Sequence, residues 1–464
     1  MTSSSAPPPI ESACYWLATR PRRAAEPLSG DHVADVTIVG AGFTGLWTGL
    51  FLKDLEPSLG IAILEQGMAG DGASGRNAGI VGETLDHSHE LAASHFGMDE
   101  ARELARLGRE NLDELARFLS LSGIDAEFER PGQLIMALTP AHVGQLRESV
   151  AFAHRLGLSD WRFLEASEAQ SELSSPLYLG AALAPKSGTL HPMKLLEGLR
   201  REALRRGIAV FEETSVQRLS RSAGRVVAQS RSGSMSSDRV VLAANAYSHR
   251  LRPRLLRRFL PLYDYILVSE PLTEAQREAI GWRGRQGVTD ARTFFNYYRL
   301  TSDGRILFGT SEAVYYPGNR VDPGCDHSPA HYESLRASFR RHFPPLSDLR
   351  FPYAWGGPIC STTRLTPFFG EALGGRLLYG LGYTGHGLGS TRLAGRILAH
   401  LALARKSPLL ELSMVRRPPF PFPPEPVRRA AVRAVTRALR RVDGGQRPGL
   451  LLRILESLGI NFSS

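Results

Sequence analysis

The sequence predicts an α/β protein of two lobes, the first Rossmann-like and the second built on a mixed or antiparallel sheet. In the first lobe, a β-branched run leads directly into Gly40-x-Gly42-x-x-Gly45, after which the hydrophobic pattern becomes helical. Strand-like and helical segments then alternate as far as residue 245, which is typical of a parallel sheet with crossover helices. Residues 260–309 instead hold aromatic-rich runs separated by Gly and Pro, which indicates antiparallel strands. With 464 residues, the chain is also too long for one ordinary core.

The glycine run and its flanks form a complete dinucleotide-binding βαβ pattern. A strand over 35–39 enters the turn, the helix stops at Pro57, and a second strand over 61–64 ends on Glu65. Gly40 makes the tight turn, Gly42 lets the backbone approach a pyrophosphate, and Gly45 lets the helix pack closely on the strand. Glu65 is placed to accept hydrogen bonds from ribose hydroxyls. A purely structural glycine turn is the alternative, and the motif alone leaves NAD and FAD both open. The residues predicted to bind the dinucleotide here are Gly40, Gly42, Phe43, Thr44, Gly45 and Glu65.

Two further glycine-rich segments are candidates for contact with the same ligand. Residues 70–79 follow Glu65 directly, and so many glycines predict backbone held close to something flat or charged, although a flexible loop is the alternative. Residues 377–387 form a strand and a glycine turn that opens a helix, whose N-terminus suits an anionic ligand edge. The candidate residues are Gly72, Ala73, Ser74, Arg76, Asn77 and Gly79 in the first segment and Gly382, Gly385, His386 and Gly387 in the second. Val216 and Ala244 are added where later strands reach the first sheet.

The remaining pattern predicts the division of the chain. Helices are expected over 99–122, 141–156 and 192–206, with strands over 133–138, 208–211 and 240–245 and a hairpin of 215–219 with 226–230. The second lobe contributes strands over 260–271, 293–300 and 305–309. We assign 1–30 to an N-terminal arm, 31–95, 160–250 and 346–405 to the dinucleotide lobe, 96–159 and 251–345 to the second lobe, and 406–464 to a tail. Tyr15, Trp16 and Leu17 are expected to pin the arm to the surface.

Composition excludes several functional classes. The net charge of +10 comes almost entirely from scattered arginines without stacking-aromatic motifs, so we expect no nucleic-acid partner. The cysteines, Cys14, Cys325 and Cys360, are widely spaced, and the His87-Ser-His89-Glu90 run is interpreted as a solvated turn, so no metal site is predicted. Neither a secretory signal nor a membrane span is evident, and a cytoplasmic location is expected.

The chain resembles the glycine oxidase and sarcosine oxidase superfamily of FAD-dependent amine oxidoreductases, and most closely its gamma-glutamylputrescine and aminophosphonate oxidoreductase branch. The motifs that carry this resemblance are Val39-Gly-Ala-Gly-Phe-Thr-Gly-Leu-Trp-Thr48, Gly72-Ala-Ser-Gly-Arg-Asn77, Val240 to Ala246, Tyr297-Tyr-Arg-Leu-Thr-Ser-Asp-Gly-Arg305, Trp355-Gly-Gly and Gly382-Tyr-Thr-Gly-His-Gly387. The resemblance implies a two-lobe flavoprotein, with FAD extended through the first lobe and its isoalloxazine at the interface with the second. It also implies C–N bond oxidation by hydride transfer to flavin N5, after which the imine hydrolyses to an aldehyde.

Two departures from that superfamily narrow the expected substrate and the mode of cofactor binding. Aligned without gaps, the arginine with which glycine oxidases hold a carboxylate falls on Ile359, which cannot form a bidentate pair. A small primary or secondary amine is therefore expected, with oxygen or a quinone as electron acceptor. The flavin-linking cysteine of monomeric sarcosine oxidases falls on Gly357, so FAD is expected to be non-covalent. The alternatives are a D-amino-acid or imino-acid dehydrogenase of the same fold, and a non-catalytic nucleotide-binding protein.

The resemblance also suggests which side chains line the substrate site. The candidates are His386, Tyr298, Tyr263, Tyr265 and Arg299. Each has a structural alternative. For His386 it is a turn histidine exposed to water, for the tyrosines it is a place among the core aromatics, and for Arg299 it is an ion pair with Asp303. In the tail, a helix over 427–442 has arginines on one face and a narrow apolar face on the other. We expect that helix to dock onto the FAD lobe rather than to lie on a membrane.

Overall fold

Two eight-stranded sheets organise the protein in a computed structural model that describes residues 13–20, 22–85 and 87–460. The strands of this described part are β1 (Gly30–Val39), β2 (Ile61–Leu64), β3 (Ile80–Val81), β4 (Gln133–Met136), β5 (Arg162–Glu165), β6 (Gly180–Ala184), β7 (Gly188–Thr189), β8 (Ala209–Phe211), β9 (Arg218–Ser222), β10 (Arg225–Gln229), β11 (Gly233–Leu242), β12 (Leu260–Pro271), β13 (Gly287–Asp290), β14 (Asn296–Leu300), β15 (Arg305–Tyr315), β16 (Tyr353–Ser361), β17 (Phe368–Ala372) and β18 (Leu377–Leu381).

Helices connect these strands and cover the sheets. They are α1 (Tyr15–Ala18), α2 (Phe43–Leu55), α3 (Ala73–Arg76), α4 (His89–Phe96), α5 (Met98–Leu121), α6 (Pro140–Arg155), α7 (Ala166–Glu172), α8 (Pro192–Arg205), α9 (Ser248–Leu251), α10 (Glu274–Ile280), α11 (Pro329–His342), α12 (Gly387–Ala402), α13 (Ser413–Arg416), α14 (Val427–Asp443) and α15 (Leu450–Ser457). Short 3-10 turns lie at Asn245–Tyr247, Pro253–Arg257, Pro317–Asn319, Pro323–Cys325, Pro344–Leu346 and Pro408–Glu411. Within the ranges given above, no helix combines the length and the apolar character needed to span a bilayer.

The first sheet is parallel at its centre, in the order β17-β18-β11-β1-β2-β8. β1 pairs in parallel with β11 and β2, β2 with β8, and β11 with β18. The last four residues of β1 and all of β2 are buried, as expected for strands covered on both faces. The β9–β10 hairpin extends β11. The predicted Rossmann-like lobe is confirmed.

The second sheet is mixed, in the order β16-β12-β15-β14-β13-β4-β6-β5. Its pairs are antiparallel except for β13 with β4. This confirms the predicted mixed or antiparallel second lobe. Strands β5, β6 and β16 pair here although they lie in ranges assigned to the dinucleotide lobe, so the chain crosses between the sheets inside those ranges. The lobe boundaries remain a prediction.

Most helix bounds agree with the sequence pattern to within one or two residues, as α5, α6 and α8 show. The first strand of the predicted hairpin is displaced, because β9 begins only at Arg218. The preceding residues serve another purpose: the Thr214 backbone N–H donates to the Glu65 carbonyl at 2.7 Å, which ties this segment to the end of β2.

Both ends of the described chain are fixed to the body. Trp16 is 1% exposed, and its indole N–H donates to the Asn77 carbonyl at 2.8 Å, so the predicted pinning of the arm is confirmed; residues 1–12 of that arm lie outside the described residues. The docking predicted for α14 is wrong. Its polar contacts go to residues 293–319 of the second lobe, because a helical periodicity defines a buried face without defining the surface that covers it.

Candidate active site

A cavity of about 850 Å³ lies between the two sheets and is reached by all three predicted glycine segments. Its lining includes Gly40 and Gly42 from the β1–α2 turn, Gly72 from the segment 70–79, and Gly385 from the turn before α12. Segments that are distant in sequence therefore meet around one concave site, which is the usual form of a cofactor and substrate site.

The β1–α2 turn places the N-terminus of α2 at the cavity wall. Gly40 has φ +112°, a conformation that favours glycine, and Phe43 and Thr44 begin the helix and line the cavity. Gly45 lies behind the wall, where an added Cβ would stand 1.9 Å from the Gly40 carbonyl oxygen. Because helix N-termini carry unsatisfied N–H groups and partial positive charge, this edge of the cavity suits an anion.

Glu65 closes the same end of the cavity. Its Oε2 accepts from the Ala41 backbone N–H at 2.8 Å, and its Oε1 accepts from Gly67 at 3.2 Å. Burial raises the pKa of this carboxyl, although the two N–H donors act in the opposite direction. The carboxylate keeps lone pairs for hydroxyl donors. Val216 and Ala244 line the cavity, as predicted for neighbours of this end.

The segment 70–79 is short-helical at α3 and bridges the two lobes. Ser74 Oγ accepts from the Phe43 N–H at 2.9 Å, which fixes the segment against α2. Arg76 pairs with Asp326 of the second lobe at 2.5 Å, and its carbonyl accepts from the Trp355 indole at 2.9 Å. Gly72, Ala73, Ser74, Arg76 and Asn77 line the cavity, whereas Gly79 does not. These bonds describe an ordered cavity wall rather than the alternative of a flexible loop.

Arg299 supports this wall from behind instead of lining the cavity. The side chain is 1% exposed, and Nη1 donates to the Gly79 carbonyl at 2.8 Å and to the Leu190 carbonyl at 2.6 Å. Asp303, its suggested partner, pairs with Arg305 at 2.7 Å. Burial lowers the pKa of Arg299 to about 10. Contrary to the prediction, Arg299 therefore does not face the substrate site but joins the loops that contain Gly79 and Leu190.

The Arg299→Lys substitution is expected to destabilise the protein by about 2–3 kcal/mol, because a single ammonium cannot replace a planar fork that serves several buried carbonyls. Thermal and urea unfolding would measure this loss. As a control, Arg285→Lys alters a partly exposed pair with Glu129 and should change stability by less than about 0.5 kcal/mol. Equal effects of the two substitutions would contradict the position given to Arg299.

The predicted tyrosines lie on the opposite face of their strands from the cavity. Tyr263, Tyr265 and Tyr298 are fully buried in the core of the second lobe. The Tyr263 hydroxyl donates to the Asp322 carbonyl at 3.1 Å, and the Tyr298 hydroxyl shares a 2.5 Å hydrogen bond with Tyr178. Successive strand residues point to opposite faces, so these candidates are displaced by one residue from the side chains that do line the cavity.

Those lining neighbours are Asp264 and Tyr297, which the sequence reasoning missed. The Tyr297 hydroxyl donates to Asp264 Oδ2 at 2.5 Å, and the Tyr265 backbone N–H donates to Oδ1 at 2.7 Å. Among the residues that the structure describes, none forms an ion pair with Asp264. Burial raises the pKa of this carboxyl to about 7. The sequence feature that could have identified this residue is an aspartate in the middle of the apolar strand β12.

Asp264 lies beside the positions where the sequence departs from glycine and sarcosine oxidases. It pairs across the sheet with Gly357 of β16, and Leu262 pairs with Ile359, which also lines the cavity. On its other side, the pairing of β12 with β15 shifts register between Tyr263 and Tyr265. Such bulges commonly redirect side chains beside functional sites.

His386 meets a second histidine at the cavity wall. The Nδ1 atoms of His386 and His87 are 3.1 Å apart, and His386 Nδ1 is 3.3 Å from the Thr384 carbonyl. Since a carbonyl only accepts, His386 carries the proton on Nδ1 and His87 accepts through its own Nδ1. Burial lowers the pKa of both histidines. Both are therefore neutral near pH 7.

The 87–90 run is not the solvated turn expected from sequence. His87 lines the cavity, and His89 is buried with its ring 5.6 Å from that of Trp161. In the part of the chain covered by the structure, no group of three or more His, Cys, Asp or Glu is placed to hold a metal ion. Of the late glycine turn, Gly385, His386 and Gly387 line the cavity and Gly382 does not.

A parallel βαβ turn, a partly buried acid at the end of its second strand and an interlobe cavity define a dinucleotide-dependent enzyme of two lobes. The chain belongs to the DAO family of FAD dependent oxidoreductases. The match to this family covers residues 35–401. The protein is thus an FAD-dependent oxidoreductase, which confirms the predicted superfamily and decides against the non-catalytic alternative.

Related proteins agree with the branch suggested by the sequence. The chain is 31% identical over 416 residues to the probable oxidoreductase OrdL of Rhizobium meliloti (strain 1021), covering 89% of this chain and 94% of that protein. It is 30% identical over 394 residues to the gamma-glutamylputrescine oxidoreductase of Escherichia coli (strain K12), covering 84% and 88% respectively. Glycine oxidase from Geobacillus kaustophilus shares the fold, with a TM-score of 0.67 and 22% identity over 83% of this chain and 99% of that one. L-proline dehydrogenase from P. horikoshii does so with a TM-score of 0.68 and 16% identity, over 82% and 96%.

FAD fits the residues that line the cavity. The N-termini of α2 and α12 both reach it and offer two sites for negative charge, while the Glu65 carboxylate can accept from ribose hydroxyls. At Gly72 an added Cβ would meet no atom within 4 Å, so a side chain there would enter the open space that a ligand needs. The donor set and the space therefore agree with an extended dinucleotide.

Proposed function

We propose that the protein oxidises the C–N bond of a small primary or secondary amine to an imine, which water then hydrolyses to an aldehyde. When bound, FAD supplies the hydride acceptor at its N5 atom. Oxygen or a quinone is the proposed final electron acceptor. The observation that carries the choice of an amine is Asp264, a partly buried carboxylate that lines the cavity and has no ion pair among the described residues.

The chain offers a non-covalent cradle for the cofactor. In this proposal the β1–α2 turn and α2 hold the pyrophosphate, Glu65 holds a ribose, and the segments 72–77 and 385–387 hold the flavin. A covalent link has no support at Gly357, which lacks a side chain. Cys360 also lines the cavity, but burial raises the pKa of its thiol, which disfavours the reactive thiolate.

Asp264 gives the cavity a preference for cations. An ammonium placed there would donate a charge-assisted hydrogen bond to the Asp264 carboxylate, a bond for which the chain supplies no cationic donor of its own. A carboxyl with a pKa of about 7 can also accept the proton that the ammonium must lose before its α C–H is oxidised. Tyr297 holds the carboxylate in position for both tasks.

His386 contributes to the proposed flavin site as a neutral side chain. Because burial lowers its pKa, the ring is neutral near pH 7 and cannot act as a cation toward a reduced flavin. In this proposal, positive potential comes from the N-terminus of α12, which His386 directly precedes, and the His386–His87 pair orders that turn.

The alternative is a D-amino-acid or imino-acid dehydrogenase, and the arginines that line the cavity are its best support. Arg428 is 4% exposed and already donates to Asn319 Oδ1 at 2.8 Å and to the Pro423 carbonyl at 2.9 Å. Arg250 donates to the Val321 carbonyl. Arg76, the third arginine of the lining, pairs with Asp326. All three guanidinium groups are engaged by the protein, and Ile359 adds no cation, so the amine is favoured.

The purified protein is expected to show the visible absorption bands of a flavin and to release that flavin on denaturation. Release follows from the absence of a side chain at Gly357 and from the protonated state favoured at Cys360. Absorption spectra of the precipitate and the filtrate after acid treatment measure it. Flavin that stays with the precipitate would contradict non-covalent binding.

Anaerobic bleaching of the flavin band ranks the substrates. The panel contains putrescine derivatives, aminoethylphosphonate, N-methyl amines and amino acids. Amines without an α-carboxylate are expected to bleach the flavin, because Asp264 attracts the ammonium and repels a carboxylate. Bleaching by amino acids alone would show that the alternative is correct.

A further inference from the structure

The C-terminal segment, residues 420–460, lines the same cavity as the glycine turns. Val432, Val435 and Leu439 of α14 line it, as do Leu455 of α15 and Leu458 directly after that helix. These α14 residues follow the spacing of one helical face, while Arg433 and Arg437 point to solvent. The family match ends at residue 401, so this wall lies outside the part of the chain that defines the family.

Polar contacts fasten α14 to the second lobe at both ends. At its C-terminus, the Asp443 carboxylate accepts from the backbone N–H groups of Thr293 at 2.8 Å and Phe294 at 2.9 Å. Near its N-terminus, Arg428 donates to Asn319 at 2.8 Å. Thr293 and Phe294 themselves line the cavity, so the attachment of α14 is part of the cavity rim.

A third contact joins α14 to β15, the strand that pairs with β12 on either side of Asp264. Arg440 donates to Glu312 Oε1 at 2.6 Å, and Glu312 lies on β15 where that strand carries extra residues opposite Asp264. Its neighbours Ser311 and Ala313 line the cavity. The apolar face of α14 and Asp264 thus line one cavity, and Arg440 ties α14 to the part of β15 that lies opposite Asp264.

We propose that α14 is the outer wall of the substrate chamber and selects amines with an apolar body. The inference rests on the proposed function, because it takes Asp264 as the site of the amine nitrogen. A substrate with its nitrogen at Asp264 then presents the rest of its structure to Val432, Val435 and Leu439. Burial of apolar surface against these side chains favours, among small amines, those with the larger apolar body over highly polar ones.

Binding of two amines that cannot be oxidised tests this wall without relying on turnover. Tert-butylamine and 1-adamantylamine both lack an α C–H and differ in apolar bulk. Calorimetry on the flavin-loaded protein is expected to show 1-adamantylamine binding at least about tenfold more tightly, since each buried methylene contributes about 0.8 kcal/mol. Equal affinities for the two amines would overturn the inference.

The matched variants are Val435→Trp on the cavity face and Arg433→Trp on the solvent face. V435W is expected to weaken 1-adamantylamine binding at least about tenfold by filling the chamber, and to change tert-butylamine binding less than about twofold. R433W should leave both affinities unchanged. Unchanged 1-adamantylamine binding in V435W would show that α14 does not form the wall of the substrate chamber. Failure of both amines to bind wild-type protein would overturn the proposed function itself.

A second variant keeps the test decisive if V435W does not fold. Asp443→Ala removes the acceptor for two backbone N–H groups and should loosen the C-terminal end of α14, where Leu439 lines the cavity, while the flavin stays bound. We expect faster proteolytic cleavage within 420–460 and loss of the preference for 1-adamantylamine. A loosened tail with the preference intact would show that α14 is not the selecting wall.

Discussion

Replacing Gly45 by alanine is expected to eliminate flavin binding and to destabilise the protein by about 3 kcal/mol or more, the upper range for overpacking. The added Cβ would stand 1.9 Å from the Gly40 carbonyl oxygen and 3.1 Å from its carbon. Both are backbone atoms of the turn that leads into α2, so relief requires α2 to move away from β1. Flavin content of the purified protein and its thermal unfolding measure the two effects.

Gly49→Ala is the matched control, because it places the same methyl group on the same helix. Its Cβ would meet the Ile208 Cδ1 atom at 3.1 Å, the far end of a side chain that can shift. A glycine inside a helix costs about 0.5–1 kcal/mol relative to alanine, so this variant should be neutral or slightly stabilised. If Gly45→Ala retains a full complement of flavin, the close approach of turn and helix is not required for binding.

Replacing Asp264 by asparagine is expected to lower kcat/KM for amines by about 100-fold or more, since removal of one partner from a buried charge pair costs about 2–5 kcal/mol. Asparagine retains an acceptor for the Tyr297 hydroxyl and nearly the same volume. Flavin content should therefore be unchanged, and the loss should appear in amine binding and oxidation. Steady-state kinetics with the preferred amine measure it, and an unchanged kcat/KM would remove Asp264 from the substrate site.

The same substitution is expected to stabilise the amine-free protein at high pH. The pKa of Asp264 rises from its usual value of 3.8 to about 7 on folding, so the folded state binds more protons between those values. Stability of the wild type therefore falls as pH rises through this window, and the full cost applies above it. At pH 8 the asparagine variant should gain up to about 4 kcal/mol, and at pH 4 almost nothing.

Asp290→Asn provides the contrast for this stability prediction. Asp290 lies in the second lobe too, where it is fully buried and pairs with Arg292 at 2.6 Å. Its replacement leaves a partly buried guanidinium without a counter-ion, and should destabilise the protein at pH 8. Loss of stability in both variants at that pH would show that Asp264 has a cationic partner.

The sequence predicted those parts of the fold that depend on local pattern. The βαβ unit, the three glycine turns and most helix bounds follow from residues close together in the chain, and they are confirmed. Strand faces were harder, because β12 and β14 carry large side chains on both sides and a shift of one residue exchanges them. Tyr263 was chosen where Asp264 lines the cavity, and Tyr298 where Tyr297 does.

Contacts between distant segments could not be obtained from a single sequence. Arg299 binds carbonyls of two remote loops although Asp303 is nearby in the chain. His87 and His386 meet although 299 residues separate them. The periodicity of α14 likewise predicted a buried face but not the cavity that it covers. In each case the partner is determined by tertiary packing, about which local sequence propensity carries no information.

The segment 70–79 also has a mechanical consequence. It is anchored by Trp16 from the N-terminal arm, by Trp355 and Asp326 from the second lobe, and by Arg299 from β14. A hinge motion that separated the two lobes would strain all of these anchors together. Separation of the two lobes therefore requires several hydrogen bonds and an ion pair to break at once, so the segment 70–79 holds the lobes at a fixed distance.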